Sequence, residues 1–453
     1  MMTHTLQTPS DGVIGDYVRS HESFLKELDS EQPSWLRSIR SSGIAHFSEQ
    51  GFPGTDQEKW KYTNLASLRK TCFPPVAGSE ISEEQRVEIL SRIPEKLEGE
   101  RLVIVDGVHC GSLSERSNNL KFQFLPFSSM VKNSDNRVDS YLGRHIRHDQ
   151  NPIVALNSAF IREGVFLEMP SGLQIEQPLH IFYVDTGKKS GSAVHLRHLF
   201  IAGSNSRVEI FEHYISLNES HGFTNVVTEV FVGENASLEH IKWQDQNRTS
   251  YHISNLAVAQ ESGSRFTSHS ISTGAAISRN DIHIKLVGER TESFLYGLYL
   301  GRGNQLVDHH TVVDHLKPNS ESEEIYHGIL CEKSHGVFNG RIHVHSEAQK
   351  TNAKQSNRNL LLSRDSWIDT KPELEIYADD VRCTHGATVG QMDEQAVFYL
   401  RARGIPEPAA RRILVGAFAG EITQRIPLAS VRQSLQSYLL EELSRIPLEI
   451  CSR

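Results

Sequence analysis

The sequence predicts a mainly β chain, a β-solenoid core with a helical region on either side. Three observations carry that expectation. From about Val165 to Gly390, short runs of alternating apolar and polar residues follow one another, the period of 2 that marks strands. Small-residue turns recur between them, in GSNSRVEIFEHY from Gly203, GENASLEHIKWQ from Gly233, ESGSRFTSHSIS from Glu261 and GERTESFLYGLY from Gly288. Their interval of roughly 28 to 30 residues exceeds a hairpin and contains no helix, which favours stacked coils over a sandwich or barrel. Outside that stretch the apolar spacing changes to 3- and 4-residue steps, the signature of helices.

In chain order, a helix is expected from Asp16 to Leu28, with Val18, Phe24, Leu25 and Leu28 close to one face. A second, Trp35 to Phe47, starts after Pro33 and Ser34. Gly51-Phe52-Pro53-Gly54 breaks the chain, and Trp60 and Tyr62 of EKWKYTN read as core aromatics. Ser82 and Gln85 have capping-box spacing ahead of a helix bearing Val87, Ile89 and Leu90. Strands follow at Arg101–Asp106, turned by Gly107, and at Phe122–Phe127; helices are expected at Val138–Ile146 and Pro152–Phe160. The expected division is a mostly helical region over 1–164, the solenoid over 165–392 and a helical tail over 393–453. In the tail, Asp393 caps a helix through Ala396, Val397, Phe398 and Leu400, ended by Gly404-Ile405-Pro406. Pro408–Arg425 places Ile413, Leu414, Ala417, Phe418 and Ile422 on an apolar stripe, and Val431–Leu443 does so with Leu435, Tyr438, Leu439 and Leu443. So short a tail must pack on the strands or present a face to a partner.

Composition narrows the function. Of 453 residues, 47 are Lys or Arg and 56 Asp or Glu, a net charge of −9 that gives no electrostatic footprint for nucleic acid or an anionic membrane. No apolar run approaches spanning length, and the first residues lack the apolar core of a signal peptide. The five cysteines, Cys72, Cys110, Cys331, Cys383 and Cys451, are scattered and odd in number, which argues against a disulfide framework and for a reducing cytoplasm.

The chemistry concentrates in KPELEIYADDVRCTHGATVG, Lys371 to Gly390, where Leu374, Ile376 and Val381 alternate with polar neighbours as in a strand. Cys383 and His385, two apart, then share a face and can serve one bound ion or one partner, though two ligands do not close a coordination sphere. A rival reading comes from GRIHVHSE: His343, His345 and Glu347 have the H-x-H-x-E spacing of cupin-type metal oxygenases, with His385 as the distant third histidine. The chain lacks GxxxxGK[ST], so no ATP is expected on it, and also GxGxxG, GxSxG and HExxH, which points to a scaffold and away from an enzyme.

PELEIYADDVRCTHGATVG, with EKWKYTN upstream and DEQAVFYLRARGIP downstream, resembles the SufB/SufD family of iron–sulfur cluster assembly proteins, and most resembles SufD. SufB has an acidic residue after the His where this chain has Gly386, and an upstream cysteine that NRNLLLS, Asn357 to Ser363, lacks. The resemblance implies a right-handed parallel β-helix between helical domains, in a complex with SufB and two copies of the ATPase SufC. SufB would pair beside the last coils and SufC would dock on residues 393–453. The chain would be a non-catalytic scaffold, with His385 and Cys383 contributing to a transient iron–sulfur cluster shared with SufB and with SufC ATP hydrolysis coupled to opening of that site. The resemblance leaves open whether flavin bound through the complex supplies electrons and whether the chain pairs with itself when isolated.

Overall fold

The structure, a computed structural model, describes residues 11–28, 32–76, 78–94, 97–117, 119–132 and 137–446; Cys451 and the first ten residues lie outside them. From Leu179 onward the strands alternate between two sheets, and each pairs in parallel with the strand one coil earlier. The chain is therefore a two-sheet parallel β-solenoid. The four repeated turns feed four strands of the ten-stranded sheet, with Arg207, Ser237, Arg265 and Glu292 side by side in register.

Its corners show why those turns look alike. Gly172, Asn205, Asn235, Gly263, Arg290, Asn319 and Lys350 occupy equivalent positions with φ between 54° and 78°. Gly and Asn enter that left-handed region at least cost. Each of these residues donates its backbone N–H to a carbonyl of the next coil, from Ser204 to Asp380, at 2.6 to 3.3 Å. The corners thus stack as the strands do.

Apolar side chains fill the solenoid, among them Leu167, Phe200, Val230, Leu256, Ile284, Leu295, Tyr326 and Phe338. Adjacent coils fit closely: a Cβ at Gly297 would lie 2.0 Å from the Tyr326 ring, so only glycine leaves room for that ring.

Helices clad both outer faces. Asp11–Glu27, Ser34–Gln50 and Pro152–Ala159 bring Tyr17, Phe24, Phe47 and Leu156 against Phe223, Tyr251 and Ile253 of the nine-stranded sheet. Glu407–Thr423 and Ala429–Arg445 lay Val415, Ala419, Ile422, Leu435 and Leu439 on Phe211, Trp243 and Leu298 of the ten-stranded sheet. The Ser82 capping box forms, and Asp393 caps Glu394–Arg401 through the N–H groups of Gln395 and Ala396.

Several boundaries differ from expectation. The sheets reach back past residue 165, because Glu100–Val105 joins one sheet and Gln123–Pro126 the other. The helix expected at Val138–Ile146 spans only Arg137–Tyr141. On Glu407–Thr423 the buried stripe is Arg411, Val415, Ala419 and Ile422, whereas Ile413 and Ala417 face outward. That helix is apolar around much of its girth, so periodicity did not fix which side packs.

Candidate functional site

The solenoid ends in an uncovered coil. Trp367–Ile376 and Arg382–Gly390 are the last strands of their sheets, each paired on one side only, with His335–Val344 and Asn352–Leu361 respectively. The stretch from Lys371 to Gly390, expected to read as one strand, is two strands in opposite sheets, turned at residues 377–381. Four of the large exposed apolar side chains, Trp367, Ile376, Tyr377 and Val389, sit on this coil. An unpaired strand edge beside exposed apolar groups is a surface that normally gains a partner.

Cys383 and His385 stand on the last strand, on one face as expected. They continue the inward columns of the preceding coil: Cys383 lies beside buried Ala353 and His385 beside buried Gln355. No further coil closes over them, so the inward side opens at the end of the solenoid. Cys383 is half-buried against Ile342, Val344 and Ala353, while His385 is exposed. Burial pushes the Cys383 thiol up, more than its hydrogen bond to the Ala353 backbone lowers it. The thiol is therefore protonated at neutral pH and becomes a strong ligand only when a metal displaces the proton.

Behind His385 the column is polar. The Gln355 amide donates to Glu324 at 3.2 Å, and Thr311 donates to the same carboxylate oxygen at 2.6 Å. Burial pushes Glu324 up to about 7 despite those two hydrogen bonds.

EKWKYTN does more than fill core, a role that sequence reasoning missed. Trp60 is buried, with the Arg279 guanidinium 3.7 Å from its ring centroid. Arg279 is itself held by Asp281 at 2.8 Å and Asp308 at 2.7 Å, and Thr63 donates to Asp308. Glu58 extends the segment to the final coil by pairing with Lys371 at 2.8 Å.

The oxygenase ligand set is not assembled. His343 lies on the outer face of the nine-stranded sheet and His345 just beyond its strand, whereas His385 is in the other sheet. Glu347 pairs with Lys317 at 3.0 Å. The one metal-capable group of three among the described residues joins His343 and His345 to Asp314. Other histidines of these coils hold structure: His315 meets the Ser322 hydroxyl at 2.9 Å, His327 the Phe418 carbonyl at 3.0 Å and His335 the Asp369 carboxylate at 2.7 Å.

In the tail, Phe398, Tyr399, Ile413 and Leu440 remain exposed after the helices pack on the sheet. No described helix is long and apolar enough to cross a membrane.

Fold and site define a helix-clad parallel β-solenoid whose metal-binding residue types stand on an open terminal coil. The core domain of the SUF system FeS cluster assembly SufBD proteins matches residues 183–418, and the SufBD N-terminal region matches residues 13–181. A SufBD family iron–sulfur cluster assembly protein of Synechocystis is 33% identical over 395 residues, covering 85% of this chain and 86% of its own. The iron–sulfur cluster assembly protein SufD of Escherichia coli is 30% identical, covering 87% and 90%. SufD of Bacillus subtilis is 26% identical, covering 94% and 98%. The chain belongs to the SufBD family of iron–sulfur cluster assembly proteins.

Proposed function

We propose that this chain is the SufD-like, non-catalytic scaffold subunit of a SufB–SufC–SufD assembly. Its terminal coil would supply part of the site where a nascent iron–sulfur cluster is built, and a SufB-like subunit would supply the rest. The observation that carries this reading is the uncovered last coil, which exposes two unpaired strand edges, four large apolar side chains and His385 together.

His385 is the proposed cluster ligand and Cys383 the second. Cys383 and His385 fill only part of a cluster's coordination sphere, so a facing chain must complete it. The cluster is cargo in this scheme, handed on after assembly. The four described cysteines, Cys72, Cys110, Cys331 and Cys383, are unpaired, which suits a reducing cytoplasm.

The SufC-like ATPase is proposed to dock on residues 393–453, where Phe398, Tyr399 and Ile413 offer apolar anchors. This chain would bind no ATP itself. ATP-driven closure of two SufC copies would move the tail helices and open the joint between the SufB-like and SufD-like coils. Only a higher affinity of the closed ATPase pair for the opened joint can drive that movement. Electrons, from flavin or another donor, would come through the assembled complex.

The test is co-expression with SufB-like and SufC-like partners, size exclusion, and an ultraviolet–visible spectrum after reconstitution with iron and sulfide. The complex is expected to develop cluster absorption, and His385→Ala to lose most of it while still co-eluting. Full absorption in the His385→Ala complex would refute the ligand assignment.

A further inference from the structure

We propose that Asp314, His343 and His345 form a binding site for one divalent first-row transition-metal cation, on the outer face of the nine-stranded sheet, whereas Cys383 and His385 stand in the other sheet. One ligand atom from each residue lies within 4.8 Å of the other two. The fold fixes this convergence. Asp314 and His343 are direct neighbours in register on adjacent parallel strands, and His343 Nδ1 is 3.2 Å from Asp314 Oδ1. His345 follows two residues later, past the end of the strand, with its N–H anchored on the His315 carbonyl at 3.0 Å and its ring centroid 4.1 Å from that of His343.

A fourth residue orients the carboxylate. His283 reaches from the preceding coil to the other oxygen, Asp314 Oδ2, at 2.6 Å. An outer-shell hydrogen bond of this kind holds a ligand in place. The nearby Lys317 is paired with Glu347, so its charge does not occupy the site. Two imidazole nitrogens and one carboxylate oxygen suit Fe²⁺, Co²⁺, Ni²⁺ or Zn²⁺, and three protein ligands leave positions for water or a transferred ligand. The side chains of Asp314 and His343 are 15% and 23% exposed, enough for a hydrated cation to enter.

The inference does not rest on the proposed role in cluster assembly. Tag-free full-length protein titrated with Co²⁺, followed by calorimetry and visible absorption, tests it. One equivalent is expected to bind, with ligand-field bands and no thiolate charge-transfer band. Asp314→Asn and His345→Gln should each weaken binding by at least about tenfold, the size of effect that losing even an outer-shell partner produces. His345 lies beyond the strand, so its variant keeps the ladder; circular dichroism checks both. Cys383→Ser with His385→Ala should leave the titration unchanged. The inference is overturned if no saturable single equivalent binds, if folded variants bind like the parent, or if a thiolate band shows that Cys383 holds the cation.

Discussion

Gln355 donates its side-chain amide to Glu324 over 3.2 Å, and in register the two stand directly behind His385 in one column of the ten-stranded sheet. The interior behind the candidate site is therefore a buried carboxyl group held by an amide and a hydroxyl. Burial raises the Glu324 pKa from 4.5 to about 7. The folded state then holds a proton that the unfolded state has released. Stability is full below the unfolded value, falls as pH rises through this window, and is lost by this amount above about pH 7. Glu324→Gln should flatten that slope and, at pH about 8, be more stable than the parent by on the order of 3 kcal/mol. Denaturant titrations across the window check it; parallel pH profiles for parent and variant would contradict it.

Arg279, 1% exposed, is held between Asp281 and Asp308 with Trp60 stacked on it. Arg279→Met leaves the fully buried Asp308 carboxylate with only His310, 3.1 Å away, to balance its charge and should cost about 3–5 kcal/mol. Adding Asp308→Asn should recover part of that loss, because the stranded charge is gone. A double-mutant cycle by chemical denaturation measures the coupling.

Lys350 holds φ 60° at a corner where five of the six equivalent positions carry Gly or Asn, Arg290 being the other exception. Lys350→Gly removes the clash of its Cβ in the left-handed region, offset in part by the greater freedom of glycine in the unfolded chain. A net gain of up to about 1 kcal/mol is expected, read as a higher Tm.

That corner also shows what the sequence told and what it hid. Asn205, Asn235 and Gly263 announce a left-handed turn, and their spacing revealed the coil length. Arg290 and Lys350 adopt the same conformation without being residues that advertise it. Cys383 and His385 were legible as one face of one strand, because period 2 is local. That the face points into the open end of the solenoid was not, since it depends on which coil comes last. Asp314 was missed as a neighbour of His343 because the two are 29 residues apart and meet only through register. The outward turn of Ile413 was hidden by the apolar residues on every side of its helix.

The exposed apolar groups separate folding from assembly. Val389→Lys and Tyr377→Ser should leave the unfolding free energy of the isolated chain within about 0.5 kcal/mol of the parent, since neither side chain is buried. Both should prevent co-elution with a SufB-like partner. Phe398→Ser with Ile413→Asp should instead lose the SufC-like ATPase and keep the SufB-like subunit. Pull-downs with each partner read the two surfaces independently.

The most direct measurement is anaerobic reconstitution of the isolated chain with ferrous iron and sulfide, desalted and scanned, beside the same chain co-purified with its SufB-like partner. The account predicts that the chain alone retains no stable cluster absorption and that the pair does, in a His385-dependent way. A full, stable iron–sulfur chromophore on the solitary chain would contradict it.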